Sequence, residues 1–450
     1  MTARRRTRHR PRTLLPRRGG KTLVAATAAG ATLLSLTMSG CGVLPGTAEA
    51  SADDPITVMT WAPENTGATN MPGMPAMAQA YARWVNSKGG INGHPLKVLT
   101  CNDHNDTVRA ARCAARAAKK DAVAVVGSYS QHGRSFMSSL EGAGIPYIGG
   151  YGVADEEFTS PLSYPVNGGL PALIAGNGRQ LAAGDCERVS LVRPDTIAGD
   201  QLPALLNDGL ADGDADAGKA TDIRAPEAAS DYTKQAQQAL TAAGADSERY
   251  GYAKYGGKAK GACVTAVLGG RTDTFFDSFR RLQEDNPQVR TASVLGSLRQ
   301  SLVNRSGGSD SPLEGAYATG WYPVASDERW DPMKKVVREH AFGDNRIDVT
   351  DPGVQTTWIA YTVLHHVLES IDGGVTAKSV RRALDTGTPV TTGGLTPKLS
   401  WSYENMLAAR DFPRIVNAMV TYQRVREGKL VAVREGFIDV ERTLEGEHEG

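Results

Sequence analysis

Ala122–Gly127 reads AVAVVG. Five consecutive small or β-branched apolar residues end on a glycine. A half-exposed strand would alternate apolar and polar residues. This run is apolar on both faces, as in a strand buried inside a parallel sheet. Working outward, Ile56–Trp61 (ITVMTW) and Leu96–Cys101 are further strands, and so is Ile145–Ile148. Between the first two, a helix begins at Pro75 and places Met77, Tyr81, Trp84 and Val85 on one face. Gly89-Gly90 stops it. Asn105 or Asp106 can cap a second helix over Thr107–Lys120. Ser135–Gly142 reads as a third. Strand and helix alternate at short spacing, which predicts a doubly wound parallel sheet.

The pattern then restarts. Strands are predicted at Arg188–Val192, Lys219–Ile223, Val264–Leu268 and Arg290–Leu295. Helices are predicted at Gln201–Leu210, Tyr232–Ala243 and Thr274–Glu284. Further helices follow at Met333–His340, Gln355–Ile371 and Ala377–Leu384. Val416–Arg424 and Lys429–Val433 read as strands, and Gly209–Ala220 (GLADGDADAGKA) as a loop-like insertion. The chain has 450 residues, more than one ordinary core holds. The expected class is therefore α/β, with two similar parallel-sheet halves.

The amino terminus differs in kind. Residues 1–21 are basic, and Thr22–Met38 is an uncharged stretch of small and apolar residues. It is short for a membrane span and suits the apolar core of an export signal. Met38-Ser39-Gly40-Cys41 follows. Small residues before a cysteine are what a signal peptidase and a lipid-transfer reaction need, so Cys41 is the expected lipidation site. Arg17-Arg18 leaves the twin-arginine and general secretory routes both open. Gly46–Asp54 (GTAEASADD) reads as a flexible tether. Residues 1–40 hold eight Arg, one Lys and no acid. Without them the charge changes from 50 − 49 = +1 to 41 − 49 = −8. An acidic body argues against nucleic acid as a partner.

Four cysteines remain beyond Cys41. An even number outside the cytoplasm favours disulfides. Cys101 ends a strand and Cys113 lies in the following helix, so these two can meet. Cys186 and Cys263 both precede predicted strands and can meet if those strands are parallel neighbours. Zinc is the alternative, but no C-x-x-C or H-x3-H spacing supports it. Enzyme motifs are missing as well: the sequence has no G-x-S-x-G and no H-E-x-x-H. Gly20-Lys21-Thr22 lies in the leader without the earlier glycine of a phosphate loop. His365-His366 reads as a helical pair pointing apart. His104, His132 and Glu156-Glu157 read as polar loop residues.

KGGINGHPLKVLTCND (88–103), AVAVVG and AGIPYIGG (143–150) together resemble type I periplasmic-binding proteins. More narrowly, they look like the substrate-binding lipoproteins of branched-chain amino acid and amide ABC transporters. SDYTKQAQQALTAAGAD, ACVTAVLGG, LEGAYATGWYPV and TTGGLTPKLSW agree in order over residues 55–435. The resemblance implies two doubly wound lobes joined by a three-strand hinge, with a ligand held between them. The leader read above adds a signal peptide over 1–40 and a lipidated tether over 41–54. Lobe 1 would comprise 55–165 and 324–415, and lobe 2 would comprise 166–323 and 416–450. Candidate ligand residues lie in the loops after the strands: Trp61 and Asn65; Ser128, Tyr129 and Ser130; Tyr151; Thr196; Arg271; and Ser297. Ser128 and Ser130 would offer hydroxyls to a ligand carboxylate.

The chain has Leu298-Arg299 where amino-acid binders often place an acid, and Arg271 where an aromatic is common. Arg271 could clamp a carboxylate or phosphate, or it could face solvent or pair across the lobes. The expected partners are a small polar solute (an amino acid, amide or carboxylate-like molecule), an ABC permease, and the membrane through the lipid. The expected state is a monomer without cofactor or metal, on the outer face of the cell membrane. Two other functional classes share the scaffold: a ligand-sensing lipoprotein and an extracellular α/β enzyme.

Overall fold

The computed structural model describes residues 54–67, 69–213, 218–245, 258–283, 288–409 and 411–446. The predicted leader, Cys41 and nearly all of the tether lie outside them.

The first sheet contains β1 (Ile56–Trp61), β2 (Leu96–Cys101), β3 (Ala124–Val126), β4 (Tyr147–Ile148) and β5 (Ser163–Tyr164). Their order is β2-β1-β3-β4-β5, and every pairing is parallel. Val58 faces Val98 on one side and Ala124 on the other. Between the strands run α1 (Gly73–Ser87), α2 (Thr107–Lys119) and α3 (Gly133–Ala143), and α4 (Glu156–Thr159) precedes β5. Asp106 caps α2 by accepting from the Arg109 N–H at 2.9 Å, as anticipated for this stretch.

The second lobe begins with α5 (Gly169–Ala182). It continues through β6 (Arg188–Pro194), α6 (Leu202–Gly213), β7 (Thr221–Ala225), α7 (Thr233–Ala242), β8 (Lys258–Ala266), α8 (Thr272–Gln283) and β9 (Gln288–Val294). After α9 (Gln300–Arg305) comes β10 (Tyr317–Gly320). The chain then returns to the first lobe as α10 (Asp331–His340), α11 (Pro352–Glu369) and α12 (Ala377–Thr386). It finishes on the second lobe with β11 (Met419–Arg426), β12 (Lys429–Ala432), β13 (Ile438–Asp439) and α13 (Glu441–Glu445). The second sheet has the order β12-β11-β10-β9-β8-β6-β7. It is parallel from β7 to β10 and antiparallel over β10-β11-β12.

Both sheets are doubly wound, because alternate strand residues bury against different helix layers. In β1, Val58 packs with α1 and α11, while Met59 and Trp61 pack with α2 and α3. In β6, Val189 and Leu191 face α5 and α6, while Val192 faces α7 and α8. On the α1–α11 contact, Tyr81 meets Trp84, Trp358 and Tyr361 at 5.1, 5.2 and 5.4 Å between ring centroids.

The lobes are linked where the chain passes from β5 to α5, from β10 towards α10, and from residue 412 to β11. Side chains stitch these passages together. Asn417 donates to the Val166 carbonyl at 3.0 Å, Thr421 to the Tyr322 carbonyl at 2.8 Å, and Asn167 to the Tyr322 hydroxyl at 2.7 Å.

Helix α5 is not among the predicted helices; GLPALIAGNGRQLA carries a proline and interior glycines, which are costly in an isolated helix. In the structure those glycines serve packing. A Cβ on Gly178 would stand 2.3 Å from the Leu206 carbonyl oxygen, and one on Gly209 2.1 Å from the Ala175 carbonyl oxygen. Helices α5 and α6 approach too closely for side chains there. Helix α6 runs on to Gly213, past the predicted end at Leu210 and into the stretch expected as a loop-like insertion.

Both disulfides join the expected partners. Cys101 bonds Cys113, with Cα atoms 5.8 Å apart, and Cys186 bonds Cys263, with Cα atoms 5.7 Å apart. Val189 pairs with Cys263 in the parallel β6–β8 ladder, which brings the second pair to one sheet edge. With all four thiols in disulfides, zinc ligation by them is set aside.

Candidate functional site

A cavity of about 130 Å³ lies between the lobes, at the carboxyl ends of both sets of parallel strands. Open α/β sheets place ligands there, because loops diverge from that edge and leave a crevice. From the first lobe come Thr69 and Met71 after β1, Tyr129 and Gln131 after β3, and Tyr151 and Val153 after β4. From the second come Thr196 after β6, Pro226 and Glu227 after β7, Gly269 and Arg271 after β8, and Gly296 and Ser297 after β9. Leu170 and Leu173 of α5, Tyr232 and Trp321 also line the wall.

An aromatic series crosses the floor. Tyr129 meets Tyr151 edge-on with centroids 5.2 Å apart, and Tyr151 meets Trp321 the same way at 5.1 Å. The Trp321 indole donates to the Gly169 carbonyl at 2.8 Å, which fixes the ring plane. Gln131 donates to the Tyr129 hydroxyl at 3.0 Å. Burial pushes the Tyr129 phenol up to about 12 and raises that of Tyr151 well above the usual value. Both hydroxyls therefore stay protonated at neutral pH.

Of the sequence-predicted residues, Tyr129, Tyr151, Thr196, Arg271 and Ser297 line this cavity. Trp61, Asn65, Ser128 and Ser130 do not. Trp61 is fully buried behind the sheet against Phe136 and Tyr147, at 5.3 and 5.9 Å. Ser128 turns inward, where its hydroxyl oxygen accepts from the Trp61 N–H at 3.1 Å. Ser130 donates to the buried Asp103 carboxylate at 2.7 Å. Asn65 sits exposed at a left-handed turn position, φ 59°. The expected hydroxyl cradle is thus taken up by internal bonds, and the wall it would have formed is aromatic and aliphatic. His104 and His132 also stand outside the lining.

The cavity is shut by bonds between the lobes. The Arg271 guanidinium donates to the Gly67 carbonyl, so of the readings open for this residue, the structure shows the cross-lobe pair. Arg299 donates to Asp351 at 2.7 Å, and the other oxygen of that carboxylate caps α11 through the Gly353 N–H at 2.8 Å. Gln201 reaches Asp155 at 3.1 Å. Behind Thr196, the buried Arg193 pairs with Asp222 and Asp200, each at 2.8 Å, and holds the loop in place. Leu298, by contrast, points into the core.

Tyr232, Trp321, Leu170, Leu173 and Glu227 escaped the sequence reading. Trp321 carried a faint signal, since a bulky aromatic directly after β10 stands at a passage between lobes. The two leucines belong to the unrecognised α5.

A family model described as periplasmic binding protein matches residues 63–412. The chain belongs to that family. It is a family of binding proteins, and this member has the type I, two-lobed form. No curated protein matches the sequence. Among solved structures, this binding protein is similar to a branched-chain amino acid ABC transporter protein from Thermus thermophilus with bound valine. That match has a TM-score of 0.65 and 14% identity, and covers 88% of this chain and 100% of the other. It is also similar to an ABC transporter solute-binding protein from Rhodopseudomonas palustris in complex with 3,4-dihydroxybenzoic acid, with a TM-score of 0.66, 16% identity, and 86% and 98% coverage. A third is a fatty acid ABC transporter substrate-binding protein from Thermomonospora curvata, with a TM-score of 0.66, 12% identity, and 87% and 94% coverage. At these identities the likeness is one of fold.

The loop that carries Tyr151 rests on Glu157, read from sequence as solvated and in fact buried. Its carboxylate accepts from the N–H groups of Gly152, Val153 and Ala154 at 3.0, 2.9 and 3.1 Å. Burial pushes this carboxyl from 4.5 up to about 7, against the pull of those three donors. Below about 7 the native state keeps a proton that the unfolded chain releases near the ordinary glutamate value. The group's contribution to stability is therefore complete below about pH 4.5 and is lost as the pH rises through 7. Thermal melts between pH 4.5 and 8 should show the melting point falling as pH rises over this window. Glu157→Gln should flatten that slope, and an unchanged slope in the variant assigns it to other groups.

Proposed function

We propose that this binding protein captures a small ligand between its lobes and delivers it to the permease of an ABC transporter, while a lipid on Cys41 holds it to the outer face of the membrane. The observation that carries the reading is the cavity itself: its walls come from both lobes, and cross-lobe bonds shut it. A ligand that touches both lobes favours the closed form by its differential contacts, and a permease can read closure as the loaded state. The ligand-bound ABC transporter proteins among the structural neighbours support the same use of the fold. In this reading residues 1–40 are removed and 41–54 form the tether. One lobe comprises 55–165 and 324–415, the other 166–323 and 416–450, in a monomer.

Small-angle scattering should show the radius of gyration falling when the protein is loaded with its ligand. A radius indifferent to every ligand that binds contradicts capture by closure. Labelled fatty acid should enter the protein and not its Cys41→Ala variant, and equal labelling of the variant would contradict the anchor.

A further inference from the structure

The chemistry of the cavity wall narrows the ligand, on the reading that this cleft is where the protein captures it. Its volume is about 130 Å³. An apolar cavity of about 150 Å³ accommodates one benzene, so the enclosed space is about that of a single ring. Among the lining residues only Glu227 and Arg271 carry charge. They are opposite in sign, Glu227 exposed and Arg271 half-buried, and one Arg271 N–H already serves the Gly67 carbonyl. Deeper in, no lining side chain would compensate a carboxylate or an ammonium, and an unpaired buried charge is strongly disfavoured.

Uncharged donors are available instead. The Tyr151 hydroxyl makes no hydrogen bond among the described residues, although Tyr151 is only 6% exposed and lines the cavity. Ser297 accepts from the Gly269 N–H at 3.1 Å, and Thr196 from the Gly199 N–H at 3.2 Å. Each of these hydroxyls keeps its own proton to donate. A wall that offers uncharged hydroxyls and no deep charge suits an uncharged ligand, and an accepting oxygen on it would take their free protons.

We propose that the cleft selects a neutral, mostly apolar molecule of one-ring size that bears an acceptor oxygen, with a ketone or aldehyde carbonyl as the simplest case, and that the Tyr151 hydroxyl donates to that oxygen. The class differs from the polar amino acid or carboxylate expected from the sequence.

The test uses four probes with one ring and different heads: acetophenone, benzoate, phenylalanine and ethylbenzene. Calorimetric titration of the mature protein should rank acetophenone at least tenfold tighter than benzoate or phenylalanine. Tyr151→Phe should weaken acetophenone by about three- to tenfold, the worth of one neutral hydrogen bond, and leave ethylbenzene unchanged. A merely structural role for the hydroxyl would weaken both probes alike. The proposal is overturned if benzoate or phenylalanine binds tighter, if Tyr151→Phe weakens acetophenone and ethylbenzene equally, or if acetophenone does not bind at millimolar concentration. Scattering on the same samples separates the two readings. If benzoate compacts the protein, capture between the lobes stands and the neutral class falls. If a probe binds without compaction, capture by closure falls.

Discussion

Replacing Cys186 and Cys263 together by alanine is expected to be the most destabilising simple change in the second lobe. The bond spans 77 residues of sequence, and in the chain-entropy account a loop of that length restricts the unfolded state by about 4.5 kcal/mol. Both cysteines are also buried, at 4% and 1% exposure, so no solvated alternative offsets the loss. The Cys101–Cys113 bond spans 12 residues, and the same relation gives about 2.8 kcal/mol. Guanidinium unfolding followed by circular dichroism should rank the two double variants in that order, with the larger fall in midpoint for the 186/263 pair. If the 101/113 variant unfolds first, loop length is not the governing factor, and local packing around Cys113 takes its place.

Gly296→Ala should cost at least tenfold in affinity for whichever ligand the cleft takes. Gly296 follows β9 with φ 94°, a conformation disfavoured for alanine by roughly 1–2 kcal/mol even in the milder left-handed region. That strain is local to the second lobe and acts on open and closed forms alike, so it lowers the melting point. The loss of affinity has another origin. A Cβ at this position would stand 2.2 Å from the Tyr151 hydroxyl oxygen but 3.5 Å from the ring carbon that bears it. Tyr151 belongs to the first lobe, so the collision exists only when the lobes meet. The clash involves one atom, and removing that atom should relieve it. In a Tyr151→Phe background, Gly296→Ala should therefore have little further effect on closure. A double-mutant cycle on affinity and radius of gyration measures this coupling. Equal effects of Gly296→Ala in both backgrounds would show that backbone strain, not the contact between lobes, is responsible.

Much of the scaffold was legible because its causes are local. AVAVV is apolar on both faces, and its central strand β3 lies between β1 and β4. Asp106 caps the helix that its position announces. The alternation of strand and helix required parallel pairing, and the structure adds that β6 and β8 are direct neighbours, which places Cys186 and Cys263 at the same sheet edge. The same local logic failed at α5. Glycine is costly inside an isolated helix, and only the close approach of α6 gives Gly178 and Gly209 a favourable role. It failed again at Glu157, whose burial follows from the fold of the loop around its three amide donors.

The loops of the candidate site show the boundary most sharply. Sequence alone determined that a loop follows β3 at the carboxyl edge of a parallel sheet, because that depends on periodicity over a few residues. It could not determine which way each side chain turns. Ser128, Tyr129 and Ser130 are neighbours, yet the two serines face inward to the Trp61 amide and Asp103, and only the tyrosine faces the cavity. Arg271 and Gly67 are 204 residues apart, and Arg299 and Asp351 are 52 apart. Partners at such separations are set by how two lobes close on each other, which no local pattern encodes. Sequence determined the layers, the strand edge and which cysteines could meet; tertiary packing decided that they pair as 101–113 and 186–263, that the cleft is lined by aromatic side chains, and that of Ser128, Tyr129 and Ser130 only the tyrosine faces it.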